Sequence, residues 1–145
     1  MHQAQAILAD PKLLKALQQL VHQAGEAIMQ VYKTANFGIE TKKDDSPVTK
    51  ADLDAHYLLV DGLAKLTPNI AIVSEEDPAS QIVPQTHNCY WLIDPLDGTK
   101  EFINRNGQFT VNLALIEDNA PSFGFVSTPI DQTLYWGGKH LGAWR

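Results

Sequence analysis

Hydrophobic residues recur every three or four positions along the first part of the chain, and this spacing predicts two amphipathic helices. The first begins behind Asp10-Pro11, a capping residue followed by a residue suited to the first helical position, and runs to about Thr34. Its apolar stripe consists of Leu13, Leu17, Val21, Ala24, Ile28 and Val31. The second begins near Thr49 and stops at residues 67–69. Its stripe consists of Ala51, Ala55, Leu58, Leu59, Leu63 and Leu66.

The rest of the chain contains short apolar runs bounded by Pro, Gly or Asp, which predict strands. These runs cover residues 70–73, 90–93, 109–116, 123–126, 133–136 and 141–144. The polar stretch 41–47 between the two helices predicts a loop or hairpin turn. The expected fold class is therefore α+β: two N-terminal helices packed on a mostly antiparallel sheet, in one domain of residues 1–145.

Composition removes several classes of function. The chain has 145 residues with 11 basic and 17 acidic side chains, a net charge of −6, which argues against binding to a nucleic-acid polymer. No apolar run reaches the roughly 18 residues of a transmembrane helix, so we expect no membrane span. The single cysteine, Cys89, excludes an intrachain disulfide and a cysteine-based zinc cluster, and it fits a reducing compartment.

The strongest chemical signal is Asp-Pro-Leu-Asp-Gly-Thr at residues 94–99, directly after a predicted strand. Mg²⁺ prefers oxygen ligands, so Asp94 and Asp97 could face one ion or lie between two. Free N–H groups near Gly98 and Thr99 could hold a phosphate. The same residues could instead form an ordinary Asx turn, with both carboxylates bonded to nearby amides.

Two further acidic segments could belong to the same site. Residues 74–77, Ser-Glu-Glu-Asp, also follow a predicted strand, and neighbouring strands can bring their ends together. Taken alone, they would be a solvated strand end. Asp52 lies three residues after Thr49, so it could cap the second helix, orient a hydroxyl that activates water, or do both.

Other nucleophile and ligand patterns are weak. The five histidines show no ligand spacing, and we interpret His22 and His56 as surface or packing residues. Cys89 precedes a buried run and fits the core better than a nucleophile. The haloacid-dehalogenase phosphatases need two aspartates that are two residues apart, whereas Asp94 and Asp97 are three apart.

Three segments together resemble the signatures of the inositol monophosphatase-like, lithium-sensitive metal-dependent phosphatases. They are Asp-Pro-Leu-Asp-Gly-Thr-Lys-Glu-Phe at 94–102, Ser-Glu-Glu at 74–76 and Val-Thr-Lys-Ala-Asp at 48–52. Segments 43–52 and 97–102 are most similar to the 3'(2'),5'-bisphosphate nucleotidase branch of that family. The resemblance covers essentially the whole chain, and it implies the N-terminal layer of an αβαβα phosphatase fold.

The resemblance implies a metal site. Glu75 and Asp94 would ligate a first Mg²⁺, together with the backbone carbonyl of Leu96. Asp94 and Asp97 would share a second ion. Residues 43–45 would lie on a mobile loop near the site.

The resemblance also implies a phosphate site and a water-activating pair. Gly98 and Thr99 would bind the phosphate through their backbone amides. Thr99, oriented by Asp52, would help to activate the attacking water.

The activity implied by the resemblance is Mg²⁺-dependent removal of the 3'-phosphate from 3'-phosphoadenosine 5'-phosphate. The alternatives are an inositol monophosphatase and an inactive metal- and phosphate-binding fragment. The last arises because the family's second domain, with its Trp-Asp-x-Ala-Ala motif, is not found in residues 1–145. We expect a cytoplasmic protein, and a peripheral position at the cytoplasmic face of the inner membrane is the alternative. A homo-oligomer is one assembly that we consider.

Overall fold

The computed structural model describes residues 2–34, 36–42 and 47–145. Within those residues the helices are α1 (His2–Leu8), α2 (Pro11–Tyr32), α3 (Lys50–Leu66), α4 (Val83–Thr86) and α5 (Thr99–Ile103), and a 3₁₀ turn spans Pro78–Ile82. Both predicted helices are confirmed, as α2 and α3. Helix α1 was not predicted, because its seven residues are too few for a periodic stripe; it is fixed by burial of Ala4 and Ile7 in the core.

The helix starts form as their sequences predict. The Asp10 carboxylate accepts a hydrogen bond from the Leu13 N–H at 3.1 Å, and Pro11 occupies the first position of α2. Thr49 and Asp52 form a reciprocal capping box at the start of α3. The cap interpretation of Asp52 is therefore confirmed, and it leaves one of the two carboxylate oxygens for a further contact.

The strands form a two-stranded hairpin and a six-stranded sheet. The hairpin pairs β1 (Glu40–Thr41) with β2 (Pro47–Val48), and most of its predicted turn lies outside the described residues. The larger sheet contains, in spatial as well as chain order, β3 (Ala71–Ser74), β4 (Cys89–Asp97), β5 (Thr110–Glu117), β6 (Ala120–Thr128), β7 (Thr133–Gly138) and β8 (Gly142–Trp144). Only the pair β3–β4 is parallel, so the prediction of α+β with a mostly antiparallel sheet is confirmed.

The apolar run at residues 90–93 predicts a strand that ends before Asp94, and this predicted end is wrong. Strand β4 continues to Asp97, because a bulge between Asp94 and Asp97 absorbs Pro95 and lets the pairing with β5 resume at Asp97 opposite Thr110. Proline is tolerated there because a bulge leaves a residue out of the ladder.

The two faces of the sheet differ. Trp91 and Ile93 of β4 are completely buried in the core that includes the apolar faces of α2 and α3. Leu92, between them, is 37% exposed, and Val126 of β6 is 40% exposed. A cavity of about 490 Å³ lies on this open face and reaches as far as Glu75 and Asp94. The sheet therefore has one packed face and a second face that is covered around Val73 and Tyr90 but is open and apolar around Leu92 and Val126.

Among the residues described, no helix combines the length and hydropathy that crossing a lipid bilayer would require.

Candidate active site

Strands β3 and β4 bring the first two predicted carboxylates together. Ser74 pairs with Ile93 in the parallel register, and the Glu75 N–H donates to the Ile93 carbonyl at 3.1 Å, so Glu75 and Asp94 follow at adjacent positions. Side chains alternate across a strand, which places Asp94 on the face of Leu92, away from the helices. Both carboxylates line a second cavity of about 270 Å³.

Helix α3 supplies the second part of the site. The Asp52 side chain is completely buried, and its Oδ2 accepts hydrogen bonds from the Thr49 N–H at 2.8 Å and the Thr49 hydroxyl at 2.6 Å. Its Oδ1 accepts a hydrogen bond from the Thr99 hydroxyl at 2.8 Å. The Thr99 hydroxyl also lies 3.5 Å from the Leu96 carbonyl oxygen. Residues 47 positions apart are thus joined as the sequence resemblance predicts.

Gly98 connects the bulge of β4 to α5. It adopts φ +93°, in the left-handed region, and a Cβ there would lie 2.8 Å from the Gln108 carbonyl oxygen. Glycine is therefore required both by the backbone conformation and by the close approach of Gln108, which precedes β5. This turn sets Thr99 at the start of α5, where it can reach Asp52.

The acidic side chains share one electrostatic environment. Burial raises the pKa of Asp94 to about 6, and nearby negative charges add to the rise. Those charges belong, in decreasing effect, to Asp97, Glu75, Glu76 and Asp52. Asp94 is therefore a carboxylate whose ionised form would be favoured by a neighbouring cation.

The donor set fits a hard divalent cation by its chemistry. Glu75, Asp94 and Asp97 offer carboxylate oxygens and Leu96 offers a carbonyl, and all border the same cavity. In the part of the chain that the structure describes, no three acidic, histidine or cysteine side chains already form a metal cage. The oxygens are thus gathered at one place without constituting a finished coordination sphere.

Three residues near the site were missed by sequence reasoning. The Lys42 ammonium lies 3.0 Å from both carboxylate oxygens of Glu76. Asn112, opposite Asp94 in the register, donates its amide to Asp97 at 3.3 Å. His56 is only 8% exposed and bonds to Ser74, whereas the sequence suggested a surface or packing role. These contacts depend on strand pairing and helix docking, so no local motif reports them.

The predicted mobile loop at residues 43–45 lies outside the described residues. Glu75, Asp94, Leu96, Asp97, Gly98 and Thr99 all border one cavity, and Asp52 contacts it through Thr99. The structure thus brings the predicted site residues together, while their roles remain predictions.

Known proteins resemble this chain in sequence and in fold. The family model described as the inositol monophosphatase family matches residues 10–145. The chain belongs to the inositol monophosphatase family. The match includes all three acidic segments at residues 48–52, 74–77 and 94–99.

Among inositol monophosphatase family members, the chain is similar to proteins named 3'(2'),5'-bisphosphate nucleotidase CysQ. It is 50% identical to that of Salmonella typhimurium and 51% identical to that of Escherichia coli K12, each over 134 residues. These alignments cover 92% of this chain and 54% of each relative. The chain therefore spans about half the length of the curated relatives it matches.

Two solved structures share the fold of this chain. The CysQ structure from Bacteroides thetaiotaomicron matches with a TM-score of 0.73 and 36% identity, over 89% of this chain and 46% of that one. The SuhB structure from Bartonella henselae matches with a TM-score of 0.80 and 25% identity, over 92% of this chain and 51% of that one. The likeness thus spans both a CysQ and a more distant relative.

Proposed function

We propose that this chain carries the metal- and phosphate-binding half of a Mg²⁺-dependent phosphomonoesterase that removes the 3'-phosphate of 3'-phosphoadenosine 5'-phosphate. The observation that carries the proposal is the hydrogen bond from Thr99 to the buried Asp52 at the edge of a cavity lined by Glu75 and Asp94. The names of the CysQ relatives, 3'(2'),5'-bisphosphate nucleotidase, support a bisphosphate nucleotide as the substrate class.

In this proposal, Glu75, Asp94 and the Leu96 carbonyl would hold one Mg²⁺, and Asp94 and Asp97 would hold a second. Bound there, the ions would neutralise the phosphate and lower the pKa of water. Asp94 is the shared ligand, which agrees with its raised pKa among four other carboxylates. Lys42 binds Glu76 and so reduces the net negative charge that a phosphate meets at the cavity edge.

Thr99 and Asp52 orient the attacking water. The Thr99 hydroxyl donates its proton to Asp52 Oδ1, which leaves the lone pairs of Thr99 Oγ1 to accept a hydrogen bond from water. A proton that passes from the water to Thr99 Oγ1 is balanced by transfer of the threonine proton to Asp52 Oδ1. Water attacks phosphorus directly, the bond from phosphorus to the ribose 3'-oxygen breaks, and that oxygen takes a proton from solvent to leave as a hydroxyl, so no phosphoenzyme forms.

The phosphate would be held by the turn at Gly98 and Thr99. Backbone N–H groups at the start of a helix have no partner within the helix, and they point toward an anion placed there. A side chain at Gly98 would crowd this turn against Gln108, so the fold keeps it open. The reactive phosphate then lies between these amides and the acidic side chains.

The open apolar face of the sheet would dock the half of the family's chain that residues 1–145 do not include. Leu92, Val126 and Tyr135 are each 37–43% exposed there, and the relatives are nearly twice as long as the segment matched. Self-association of the 145-residue chain, measured by sedimentation, should decrease when Leu92→Ser and Val126→Ser are combined. A parent chain that stays monomeric and binds no hydrophobic dye would contradict this docking surface.

Phosphate release tests the proposed activity. The chain would be fused to the second half of the Escherichia coli CysQ relative, a protein called here the completed chain. With Mg²⁺, the completed chain should release phosphate from 3'-phosphoadenosine 5'-phosphate much faster than from inositol 1-phosphate. The reverse preference would favour inositol monophosphatase, and no release from either substrate would overturn the proposal.

The 145-residue chain alone is expected to bind Mg²⁺ weakly and to hydrolyse almost nothing. It has the first metal's ligands, whereas the resemblance places one ligand of the second ion in the second domain. Calorimetric Mg²⁺ titration and phosphate release measure both properties. Turnover by the chain alone comparable to that of the completed chain would contradict this division of the second metal site.

A further inference from the structure

Helix α3 reaches the acidic site at a second point, through a buried polar contact. The His56 Nδ1 atom lies 2.7 Å from the Ser74 hydroxyl oxygen, and this contact joins α3 to the last residue of β3. His56 is 8% exposed and Ser74 is 1% exposed. Burial to this degree excludes Ser74 as a nucleophile, so the pair needs another explanation.

The Ser74 hydroxyl is also part of the turn that follows β3. It accepts a hydrogen bond from the Glu76 N–H at 3.2 Å, and the Ser74 carbonyl accepts one from the Asp77 N–H at 3.1 Å. The Ser74 N–H donates to the Ser80 hydroxyl at 3.0 Å. Ser74 therefore fixes the backbone on both sides of Glu75.

We assign the Ser74 hydroxyl as the donor in its buried bond with His56, a direction that the other contacts of Ser74 permit. The Ser74 hydroxyl has one proton, which can be donated to His56 Nδ1, while its lone pair accepts from Glu76. This assignment requires a neutral imidazole with its proton on Nε2. Burial lowers the pKa of His56, although the charges of Asp77, Glu76 and Asp61 act in the opposite direction.

We propose that His56 and Ser74 are positioning residues that hold Glu75 beside Asp94 for cation binding. The proposal rests on the proposed function and adds residues that act through Glu75 without touching the ion. The Ser74 hydroxyl contacts His56 of α3, whereas Glu75, the next residue, lines the same cavity as Asp94. The Ser74 hydroxyl is bonded to His56 of α3, and it thus fixes the position of the next residue, Glu75.

One face of α3 then sets both parts of the site. Asp52 and His56 are four residues apart, so they lie on the same side of the helix. Asp52 holds Thr99, and His56 holds the turn that carries Glu75. A single rigid helix consequently fixes the distance between the water-orienting hydroxyl and the acidic side chains.

The first test measures Mg²⁺ affinity of the 145-residue chain by calorimetry. Ser74→Ala should weaken binding about tenfold, the lower end of losses seen when residues behind metal ligands are removed. Ser74→Thr, which keeps the hydroxyl, should restore affinity to within threefold of the parent. The matched control is Ser122→Ala, because Ser122 is equally buried and donates to a carbonyl of β5. Equal affinity in parent and Ser74→Ala would overturn the proposal.

A second pair of variants isolates the imidazole acceptor. His56→Asn keeps a side-chain oxygen near the Nδ1 position and should retain affinity within threefold. His56→Leu keeps the volume without the acceptor and should lose about tenfold. If both variants bind Mg²⁺ equally, the hydrogen bond does not position Glu75 and the proposal is wrong. Melting temperatures of all variants show which of them fold.

A metal-free measurement separates this proposal from the proposed function. In the parent chain, long-range ¹H–¹⁵N spectra should show the Nε2–H tautomer of His56. Ser74→Ala should change that spectrum and the amide shifts of Glu75 and Glu76, whereas Ser122→Ala should leave them unchanged. A parent that shows these signals but binds no Mg²⁺ overturns the proposed function and the role in cation binding. Unchanged Glu75 and Glu76 shifts in Ser74→Ala overturn the positioning role alone.

Discussion

The carboxylates of Asp52 and Asp94 belong to the same site but have opposite environments. Asp52 is completely buried, and its two oxygens accept three hydrogen bonds, two from Thr49 and one from Thr99. Asp94 is partly buried among other carboxylates, and its pKa is raised to about 6. Three hydrogen bonds satisfy the buried oxygens of Asp52, whereas Asp94 is partly buried among like charges that add to the rise of its pKa.

The hydrogen bonds of Asp52 are complete within the chain, whereas the negative charge around Asp94 is left for a ligand to neutralise. The Asp52–Thr99 contact is finished without any further atom, so it adds to stability as well as to the proposed chemistry. The acidic side chains around Asp94 repel one another, so they lower the stability of the fold, and a bound cation would offset that repulsion. The contrast predicts that substitutions at the two aspartates will separate activity from stability in different ways.

The largest expected effect is loss of activity in Asp94→Asn. This substitution removes charge from both proposed metal ions at once, so turnover of the completed chain should nearly vanish. Extra Mg²⁺ should not restore it, because the shared ligand is missing. Phosphate release from 3'-phosphoadenosine 5'-phosphate over a range of Mg²⁺ concentrations measures the effect. Near-parental activity at ordinary Mg²⁺ would contradict the two-metal assignment.

Asp52→Asn should reduce turnover of the completed chain by about 100-fold, the scale of a lost proton-transfer group. Asp52 is the third helical residue of the capping box, and the Oδ1 atom of an asparagine can accept the same hydrogen bonds from Thr49, so the melting temperature should stay within about 2 °C of the parent. With the asparagine oxygen on Thr49, the amide NH2 group faces Thr99 and donates to that hydroxyl, which reverses the present hydrogen bond. Turnover within a fewfold of the parent would make Asp52 a structural cap alone.

Asp94→Asn should also stabilise the metal-free chain at neutral pH. The folded-state pKa of Asp94, about 6, lies above the unfolded value of 3.8, so its contribution to stability is complete below pH 3.8 and is lost as pH rises through 6. The shift corresponds to ~3 kcal/mol, and solvent screening reduces the expected gain at pH 7.5 to about 1–2 kcal/mol.

Urea unfolding in EDTA at pH 7.5 and pH 3.5 measures this gain. The parent and Asp94→Asn should differ at the higher pH and coincide at the lower one. Asp61→Asn, on the exposed side of α3, controls for the loss of one negative charge. A gain of equal size in both variants, or one that persists at pH 3.5, would show that Asp94 is not specifically destabilised.

Sequence patterns were sufficient for the elements that depend on local or periodic information. Helices α2 and α3 follow from apolar spacing and from the caps Asp10 and Thr49, and the alternation of polar breaks and apolar runs located the strands. Helix α1 could not be predicted, because burial of Ala4 and Ile7 depends on tertiary packing. The continuation of β4 across its bulge depends on pairing with β5. A prediction that ends the strand at Pro95 uses one segment alone, so it cannot take that pairing into account.

The candidate site divides in the same way. The three acidic segments were visible because each forms a contiguous motif and their order resembles a known family. The partners His56 and Asn112 were missed, since single residues on a helix face or a neighbouring strand form no motif of their own. Their contacts, His56 with Ser74 and Asn112 with Asp97, appear only when the sheet register is known.

The smallest expected effect concerns Asn112. It tests whether a hydrogen bond to Asp97 holds that carboxylate in place, as the hydrogen bonds from Thr49 and Thr99 hold Asp52. Its amide donates to Asp97 at 3.3 Å in an exposed position, so the bond is long and screened by water. Asn112→Ala should therefore change the Mg²⁺ affinity of the completed chain by about threefold or less, in the range of one weak hydrogen bond. A tenfold loss of Mg²⁺ affinity by calorimetry, with an unchanged melting temperature, would show that the protein also holds Asp97 in place. Asp94 would then be the carboxylate that still contrasts with Asp52.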